Sequence, residues 1–287
     1  MENFVFNVEQ QFNNYKIKDF LKAIGISEEI IKKVKVGYVY LNEGLVSNVN
    51  NLVKSGDNVK IILPKDCKNQ YVKEVKGELE ILYEDQYLIA INKPVMMQTH
   101  CSKANKGVSL DQLVCGYFAP KPFVFRAVNR LDKNTSGIVL VAKDMITASF
   151  LSQQIKQGQV NKTYQAVVLG VPNKKHFFIE KPIKREREGS MKRVCSEDGK
   201  YALTECSLLE EYNGKSLLEI KLHTGRTHQI RVHLSSIGLP LFADGLYGQE
   251  VYGQTYYLHA STMTLIHPFT KEVLTINCPS GYNIKNM

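Results

Sequence analysis

The chain has 287 residues, of which 44% are hydrophobic and 23% charged, a balance typical of a globular protein with one large or two ordinary domains. No run of about 18 apolar residues occurs, so we expect no membrane span, and the first residues lack the basic and apolar segments of a secretory signal. The net charge of +9 favours a polyanionic partner, nucleic acid before an acidic membrane surface.

Cysteine and histidine spacing predicts no metal site. The six cysteines include no CxxC pair, and the seven histidines include no HExxH motif. His223, His228 and His233 recur every five residues, which fits neither one face of a helix nor one face of a strand. We interpret the cysteines as reduced thiols of a cytoplasmic protein.

Residues 1–70 are predicted to form a small α+β domain. Apolar residues at helical spacing from Ile17 to Ile24 indicate a helix that Gly25 ends, and Ser27 begins a second helix. The runs GYVYLN and DNVKIILP then read as short strands separated by turn residues.

The polar, aperiodic stretch that follows predicts a linker over residues 71–78, and a larger domain is expected over residues 79–287. Strands are predicted in LEILYEDQYLIAINKP, KTYQAVVLG and SLLEIKLHTG, and MITASFLSQQIKQGQ has helical spacing. The run IVLVAKD is continuously apolar, as in a strand buried on both faces. Because no regular βαβ repeat occurs, we expect an α+β fold.

A basic segment over residues 174–193 has little periodicity and is predicted to be a loop. Lys184, Arg185 and Arg187 lie in it and are candidates to bind nucleic-acid phosphates. A solvated loop without a ligand is an equally good interpretation of this segment alone.

The run NRLDKNTSG places a carboxylate, Asp132, just before the buried strand. Its spacing resembles a calcium loop, but Lys143 stands where that loop needs a bidentate glutamate, so we reject calcium. An Asx turn around Asp132 would be an ordinary structural explanation. It does not account for Arg130 directly upstream.

A second motif, HTGRTHQIRVHLSSIG, contains a turn followed by helical spacing that Gly238 ends. Arg226 is predicted to lie near the start of this helix, where the dipole leaves it short of negative charge. A guanidinium binds a carboxylate through two parallel hydrogen bonds, and Asp132 is the best loop candidate. The spacing of the two motifs does not by itself prove the pair.

Taken together, the runs NRLDKNTSGIVLVAKD, VNKTYQAVVLG, HTGRTHQIRVHLSSIGLPLFADGLYG and LHASTMTLIHP resemble the RluA-type pseudouridine synthases, in the order of that family. The resemblance implies a catalytic domain with a mixed, mainly antiparallel central sheet flanked by helices and loops. It also implies that the protein isomerises uridine in RNA to pseudouridine without a cofactor or metal.

The resemblance also implies roles for four residues. Asp132 matches the nucleophile, which attacks base or sugar, and Tyr164 matches the tyrosine that packs against the target base. Arg226 matches the arginine paired with the nucleophile, and Arg130 matches the residue that fills the space left by the displaced base.

The first 70 residues resemble the small ribosomal-protein-type RNA-binding domain that precedes many RNA-modifying enzymes. Lys32, Lys33 and Lys35 stand where that domain carries arginines and are candidate RNA contacts, although an ordinary lysine-rich helix surface would look the same. We expect ribosomal RNA as the substrate, with transfer RNA second, and no obligate protein partner. The alternative is a non-catalytic RNA-binding protein with a synthase-like fold.

Overall fold

A computed structural model of the protein describes residues 2–34, 38–46, 48–63, 72–102 and 107–287. The helices in these ranges are α1 (Ile17–Ala23), α2 (Glu28–Lys33), α3 (Leu110–Phe118), α4 (Met145–Lys156) and α5 (Gln229–Ser235). The strands are β1 (Glu2–Asn7), β2 (Val39–Leu41), β3 (Gly44–Leu45), β4 (Asn58–Leu63), β5 (Ile81–Glu84), β6 (Leu88–Lys93), β7 (Arg126–Ala127), β8 (Ser136–Ala142), β9 (Asn161–Leu169), β10 (His176–Glu180), β11 (Ile183–Arg185), β12 (Arg193–Cys195), β13 (Leu203–Tyr212), β14 (Lys215–Leu222), β15 (Leu258–Ile266) and β16 (Val273–Asn277). Within these ranges, every helix is too short or too polar to cross a lipid bilayer.

The N-terminal module combines α1 and α2 with a sheet in the strand order β1-β4-β2-β3. The predicted start of the second helix is confirmed, because the Ser27 hydroxyl accepts a hydrogen bond from the backbone amide of Ile30 at 3.4 Å. Gly25 has a φ of +106° and follows α1, as predicted from its freedom to adopt that conformation. Lys35 and residues 64–71 lie outside the described residues. Residue 71 is the first residue of the predicted linker.

The N-terminal module packs directly on α4. Ile146 and Phe150 of α4 are buried in the same apolar core as Ile17 and Phe20 of α1. The hydroxyl of Ser149 accepts a hydrogen bond from the backbone amide of Ser27 at 2.8 Å and donates one to the carbonyl of Gly25 at 2.7 Å. Apolar burial and paired backbone groups therefore fix the module against the larger part of the chain.

The larger part of the chain is built on a mixed sheet. In the described residues its main path is β10-β13-β14-β9-β15-β8-β6-β5, with β16 paired to β15 and β7 to β8. Of these pairings only β8 with β15 is parallel, so the predicted mixed, mainly antiparallel sheet is confirmed. Alternate residues of β8 enter two different apolar cores, as expected of a strand buried on both faces.

One row of residues crosses the centre of this sheet and positions the site. Tyr164 of β9 is opposite Ala260 of β15, and Ala260 is opposite Gly137 of β8. A side chain at Gly137 would begin 2.3 Å from the Ala260 carbonyl oxygen, so only glycine allows this approach. The segment that leads into β8 therefore ends level with Tyr164.

One prediction about a connecting segment needs correction. The basic segment 174–193 is not a loop throughout, because it contains β10 and β11, with β12 beginning at Arg193 and pairing with β11 as a hairpin. These strands are only three to five residues long, too short for a clear alternation of apolar and polar side chains. Residues 72–78 have no regular structure, but the amide of Val75 donates a hydrogen bond to the Gln112 carbonyl in α3 at 3.1 Å.

Candidate active site

Asp132 lies in the loop between β7 and β8, and the side chains of Thr99 and Asn129 fix the backbone of that loop. The Thr99 hydroxyl donates a hydrogen bond to the carbonyl of Leu131 at 2.9 Å and accepts one from its amide at 3.3 Å. The amide side chain of Asn129 pairs with the backbone of β8 at Ile138 and Leu140, both at 2.9 Å. These bonds hold the carboxylate in one place before any ligand is present.

Lys93, at the end of β6, holds the same loop through hydrogen bonds from its ammonium. Its ammonium is fully buried and donates hydrogen bonds to the carbonyls of Pro94 and Met97, both at 2.8 Å, and of Lys133 at 3.3 Å. Burial lowers the pKa of Lys93 to about 8, although the charge of Asp132 acts to raise it. Lys93 therefore ties two loops together next to the carboxylate.

The positive partner of Asp132 is Arg231, on the buried side of α5. A guanidinium nitrogen of Arg231 lies 3.5 Å from the Asp132 carboxylate, whose side chain is 35% exposed. Two other guanidinium nitrogens donate hydrogen bonds to the buried carboxylate of Asp244, each at 2.8 Å. The rings of Tyr247 and Tyr256 lie 4.9 and 4.3 Å from the guanidinium carbon, an arrangement that further orients the cation.

Burial acts to lower the pKa of Arg231, but the hydrogen bonds to Asp244 and the charges of Tyr256, Asp244 and Asp132 together outweigh it, so the pKa is raised. Arg231 therefore stays a cation and does not transfer a proton to the substrate.

His228 is a second neighbour of the carboxylate. Its Nε2 lies 3.7 Å from an Asp132 oxygen, and its Nδ1 is 2.8 Å from the hydroxyl of Tyr247. That hydroxyl accepts a hydrogen bond from the backbone amide of Arg193 at 2.7 Å, so Tyr247 links His228 to the start of β12. Burial lowers the pKa of His228, which favours the neutral ring at pH 7.

Arg226 is not the partner of Asp132, and the predicted pair is wrong. Its Nε donates a hydrogen bond to the carbonyl of Tyr201 at 2.9 Å, and its side chain is exposed on the cavity wall. Both arginines belong to the motif used for the prediction, but Arg226 precedes α5, whereas Arg231 lies within it. A cation among the buried positions of a helix is a sequence signal for a partnered charge, and it identifies Arg231.

Tyr164 forms part of the floor beside Asp132. It is 7% exposed, and its hydroxyl has no hydrogen-bond partner within the described ranges. Burial and then the charge of Asp132 raise the pKa of Tyr164 above its usual range, so the hydroxyl stays protonated at neutral pH.

A cavity of about 860 Å³ is lined by Asp132, Tyr164, Arg226, His228 and Arg231, among others. Asp132 is the only acidic residue among the described residues of its wall. The cations around it number five and come from four different segments: Arg130, Lys156, Lys162, Arg226 and Arg231. Such a wall attracts a polyanion and leaves one carboxylate available for chemistry.

The predicted RNA contacts of the described residues, apart from Arg130, lie outside this cavity. Lys32 and Lys33 are on α2, where Lys33 pairs with Glu29 at 2.9 Å. Lys184 and Arg185 are on β11, and Arg187 is in the turn of the β11–β12 hairpin. That hairpin reaches the site through the contact between Arg193 and Tyr247. Arg130 is exposed on the cavity wall beside Asp132.

A family model described as RNA pseudouridylate synthase matches residues 87–236, a range that includes Asp132, Tyr164 and Arg231. The chain belongs to the RNA pseudouridylate synthase family. It is therefore an isomerase that acts on RNA, and the predicted family, enzyme class and fold class are confirmed.

Individual relatives agree with this assignment. RNA pseudouridine synthase YhcT of Bacillus subtilis is 36% identical over 244 residues, which cover 83% of this chain and 80% of the relative. Ribosomal large subunit pseudouridine synthase D of Nitrosomonas europaea is 34% identical over 239 residues, with coverage of 79% and 69%. The solved structure of human RNA Pseudouridylate Synthase Domain Containing 1 has a TM-score of 0.59 at 27% identity, covering 70% of this chain and 83% of that chain.

Proposed function

We propose that this synthase converts uridines of large-subunit ribosomal RNA to pseudouridine through covalent attack by Asp132 on a nucleotide flipped out of its stack. The observation that carries the proposal is the position of Asp132. It is the only acid among the described residues of a cationic cavity, held beside Arg231 and near the buried ring of Tyr164.

The chemistry follows from these neighbours. A carboxylate attacks only when ionised, and the fixed cation of Arg231 lies 3.5 Å from this one. The covalent bond holds the nucleotide while the bond between its ring nitrogen and the sugar breaks. The uracil then turns, and a ring carbon forms the new bond to the same sugar carbon. That ring carbon loses its proton, the ring nitrogen freed from the sugar gains one, and the bond to the carboxylate breaks. No cofactor takes part in this proposal, because atoms and electrons balance within the nucleotide.

Base flipping accounts for the aromatic and cationic walls. Taking a uridine out of its stack costs a few kcal/mol, and stacking on a ring such as Tyr164 returns about 1–3 kcal/mol. In this proposal Arg130, which is exposed on the wall beside Asp132, occupies the space that the displaced base leaves in the RNA. The neutral hydroxyl of Tyr164 lies in the same cavity, available for hydrogen bonding to the base.

The class of RNA is inferred from relatives and from surface charge. Relatives named ribosomal large subunit pseudouridine synthase D match 79% of this chain, which favours ribosomal RNA over transfer RNA.

We assign residues 1–70 as an RNA-binding module that uses Lys32 and Lys33, and the basic hairpin with Lys184, Arg185 and Arg187 as a further phosphate contact. Replacing Lys32 and Lys33 with Gln is expected to weaken RNA binding and leave turnover on saturating RNA unchanged. The described cysteines Cys115, Cys195, Cys206 and Cys278 form no disulfide, which fits the reducing cytoplasm where ribosomes are assembled.

Mapping pseudouridine at single-nucleotide resolution tests the proposal. Cells that lack the gene are expected to lose pseudouridine at defined positions of large-subunit ribosomal RNA and to regain it with the wild-type gene. Restoration by a gene that encodes Asp132→Asn would contradict the assigned nucleophile. Loss confined to transfer RNA would contradict the assigned substrate.

A further inference from the structure

Lys162 is a cavity cation whose role the proposed reaction leaves open. Among the cations of the cavity wall, Lys162 is partly buried and Arg231 is buried, whereas the others are exposed. Arg231 is matched by Asp132 and Asp244. The ammonium of Lys162 has no hydrogen bond and no ion pair within the described residues.

An ammonium in this position is unfavourable unless something else compensates it. A partly desolvated cation without a counter-charge lowers stability, and burial lowers the pKa of Lys162. Lys93 shows the structural alternative, because its buried ammonium donates hydrogen bonds to three backbone carbonyls. Lys162 has no such acceptors, so its charge suits a ligand that brings its own negative charge.

The position of Lys162 relative to Tyr164 indicates which part of the RNA supplies this negative charge. The two residues lie on the same face of β9, two positions and therefore about 7 Å apart. A uracil on Tyr164 is uncharged, whereas the phosphates beside its sugar carry full charges. A side chain at Gly225 would begin 3.9 Å from the ammonium of Lys162, so the bare turn at Gly225 leaves the approach open.

We propose that Lys162 binds a backbone phosphate next to the flipped uridine, an inference that rests on the proposed function. A lysine ammonium suits this task, because it is a compact charge with three donors that accepts phosphate oxygens from several directions. Lys162 is then a binding residue that positions the nucleotide and takes no part in bond making.

The test compares Lys162→Met with Lys162→Arg on an unmodified transcript of the ribosomal RNA segment that contains the mapped uridine. Binding is measured in an Asp132→Asn background, where turnover is not expected. Lys162→Met is expected to weaken RNA binding about ten-fold at low salt and to reduce the salt slope of the affinity by about one. Lys162→Arg should stay within about three-fold of the parent. Lys285→Gln, which removes an exposed charge paired with Glu210, is the matched control and should leave both quantities unchanged.

Turnover separates a binding role from a chemical one. With Asp132 intact, Lys162→Met is expected to raise KM and to keep kcat within about two-fold at saturating RNA. An unchanged salt slope, or a lowered kcat with unchanged affinity, would overturn the proposal. A wild-type enzyme that makes no pseudouridine on any ribosomal transcript would instead refute the proposed function. Lys162→Met should melt at or above the wild-type temperature, because it removes an uncompensated charge, so weak binding would not reflect misfolding.

Discussion

Arg231 and Arg226 carry the same guanidinium five residues apart, but their surroundings give them different roles. Arg231 is buried between two tyrosine rings and shared by two carboxylates, whereas Arg226 is exposed and bound to one backbone carbonyl. The sequence indicates that a cation near α5 faces Asp132. It does not indicate which, because the choice depends on how the helix turns its side chains toward the loop.

Arg231→Met is expected to destabilise the protein by about 3–5 kcal/mol, because it leaves the buried carboxylate of Asp244 without its cation. Arg226→Met removes an exposed side chain and should cost less than about 1 kcal/mol. Urea unfolding of both variants measures the difference. Equal losses of stability would contradict the assignment of Arg231 as the buried partner.

Tyr164 combines a buried ring with a hydroxyl that stays protonated. Tyr164→Phe keeps the ring and is expected to bind RNA within about three-fold of wild type, whereas Tyr164→Ala should lose about 1–3 kcal/mol of binding free energy. RNA titrations in an Asp132→Asn background measure both. Equal losses for Phe and Ala would show that the hydroxyl, and not the stacking face, holds the base.

At the scale of elements, periodic patterns predicted α1, α2, α4, α5 and the buried strand β8. The hairpin of β11 and β12 was missed, because its strands are three residues long and half of their side chains are charged. Helix α4 has a second apolar side, formed by Ile146 and Phe150, which covers the N-terminal module. Only the three-dimensional arrangement identifies what that second side packs against.

The parallel pairing of β8 with β15 depends on Gly137, and a pair of glycines tests this. Gly137→Ala is expected to cost about 2–4 kcal/mol, since the new methyl group meets backbone at 2.3 Å in addition to an unfavourable φ of +103°. Gly158→Ala is the matched control, with a φ of +70° and open space around it, and should cost about 1 kcal/mol. Thermal or urea unfolding compares them, and equal costs would contradict the close-approach argument.

For the whole molecule, buried histidines predict how stability depends on pH. Burial lowers the pKa of His100, His228, His233 and His259 in the folded protein. The unfolded chain therefore binds more protons below the ordinary histidine pKa of about 6.5, and the free energy of unfolding decreases as pH falls below that value. Urea unfolding at pH 7.5 and 5.5 should give a loss of at least about 1 kcal/mol at the lower pH. Equal or greater stability at pH 5.5 would contradict this account.

Across the whole chain, the order of motifs predicted the family, since each motif has a local pattern, and the assignment of Asp132 as nucleophile stays a prediction. The cavity itself joins segments that are far apart in sequence, from Ala127 to Leu258. The wall residues Lys162 and His228 were missed as site residues for that reason, because only folding brings them close to Asp132. Local periodicity likewise did not predict that the N-terminal module packs on α4.

The most direct test of the central claim is single-turnover pseudouridine formation on an unmodified large-subunit ribosomal transcript, with wild-type enzyme and with Asp132→Asn. The substitution keeps the shape of the side chain and removes its charge, so RNA affinity should stay within about three-fold while product formation falls by at least about 10³-fold. Product formation by Asp132→Asn at a rate near that of wild type would contradict the account.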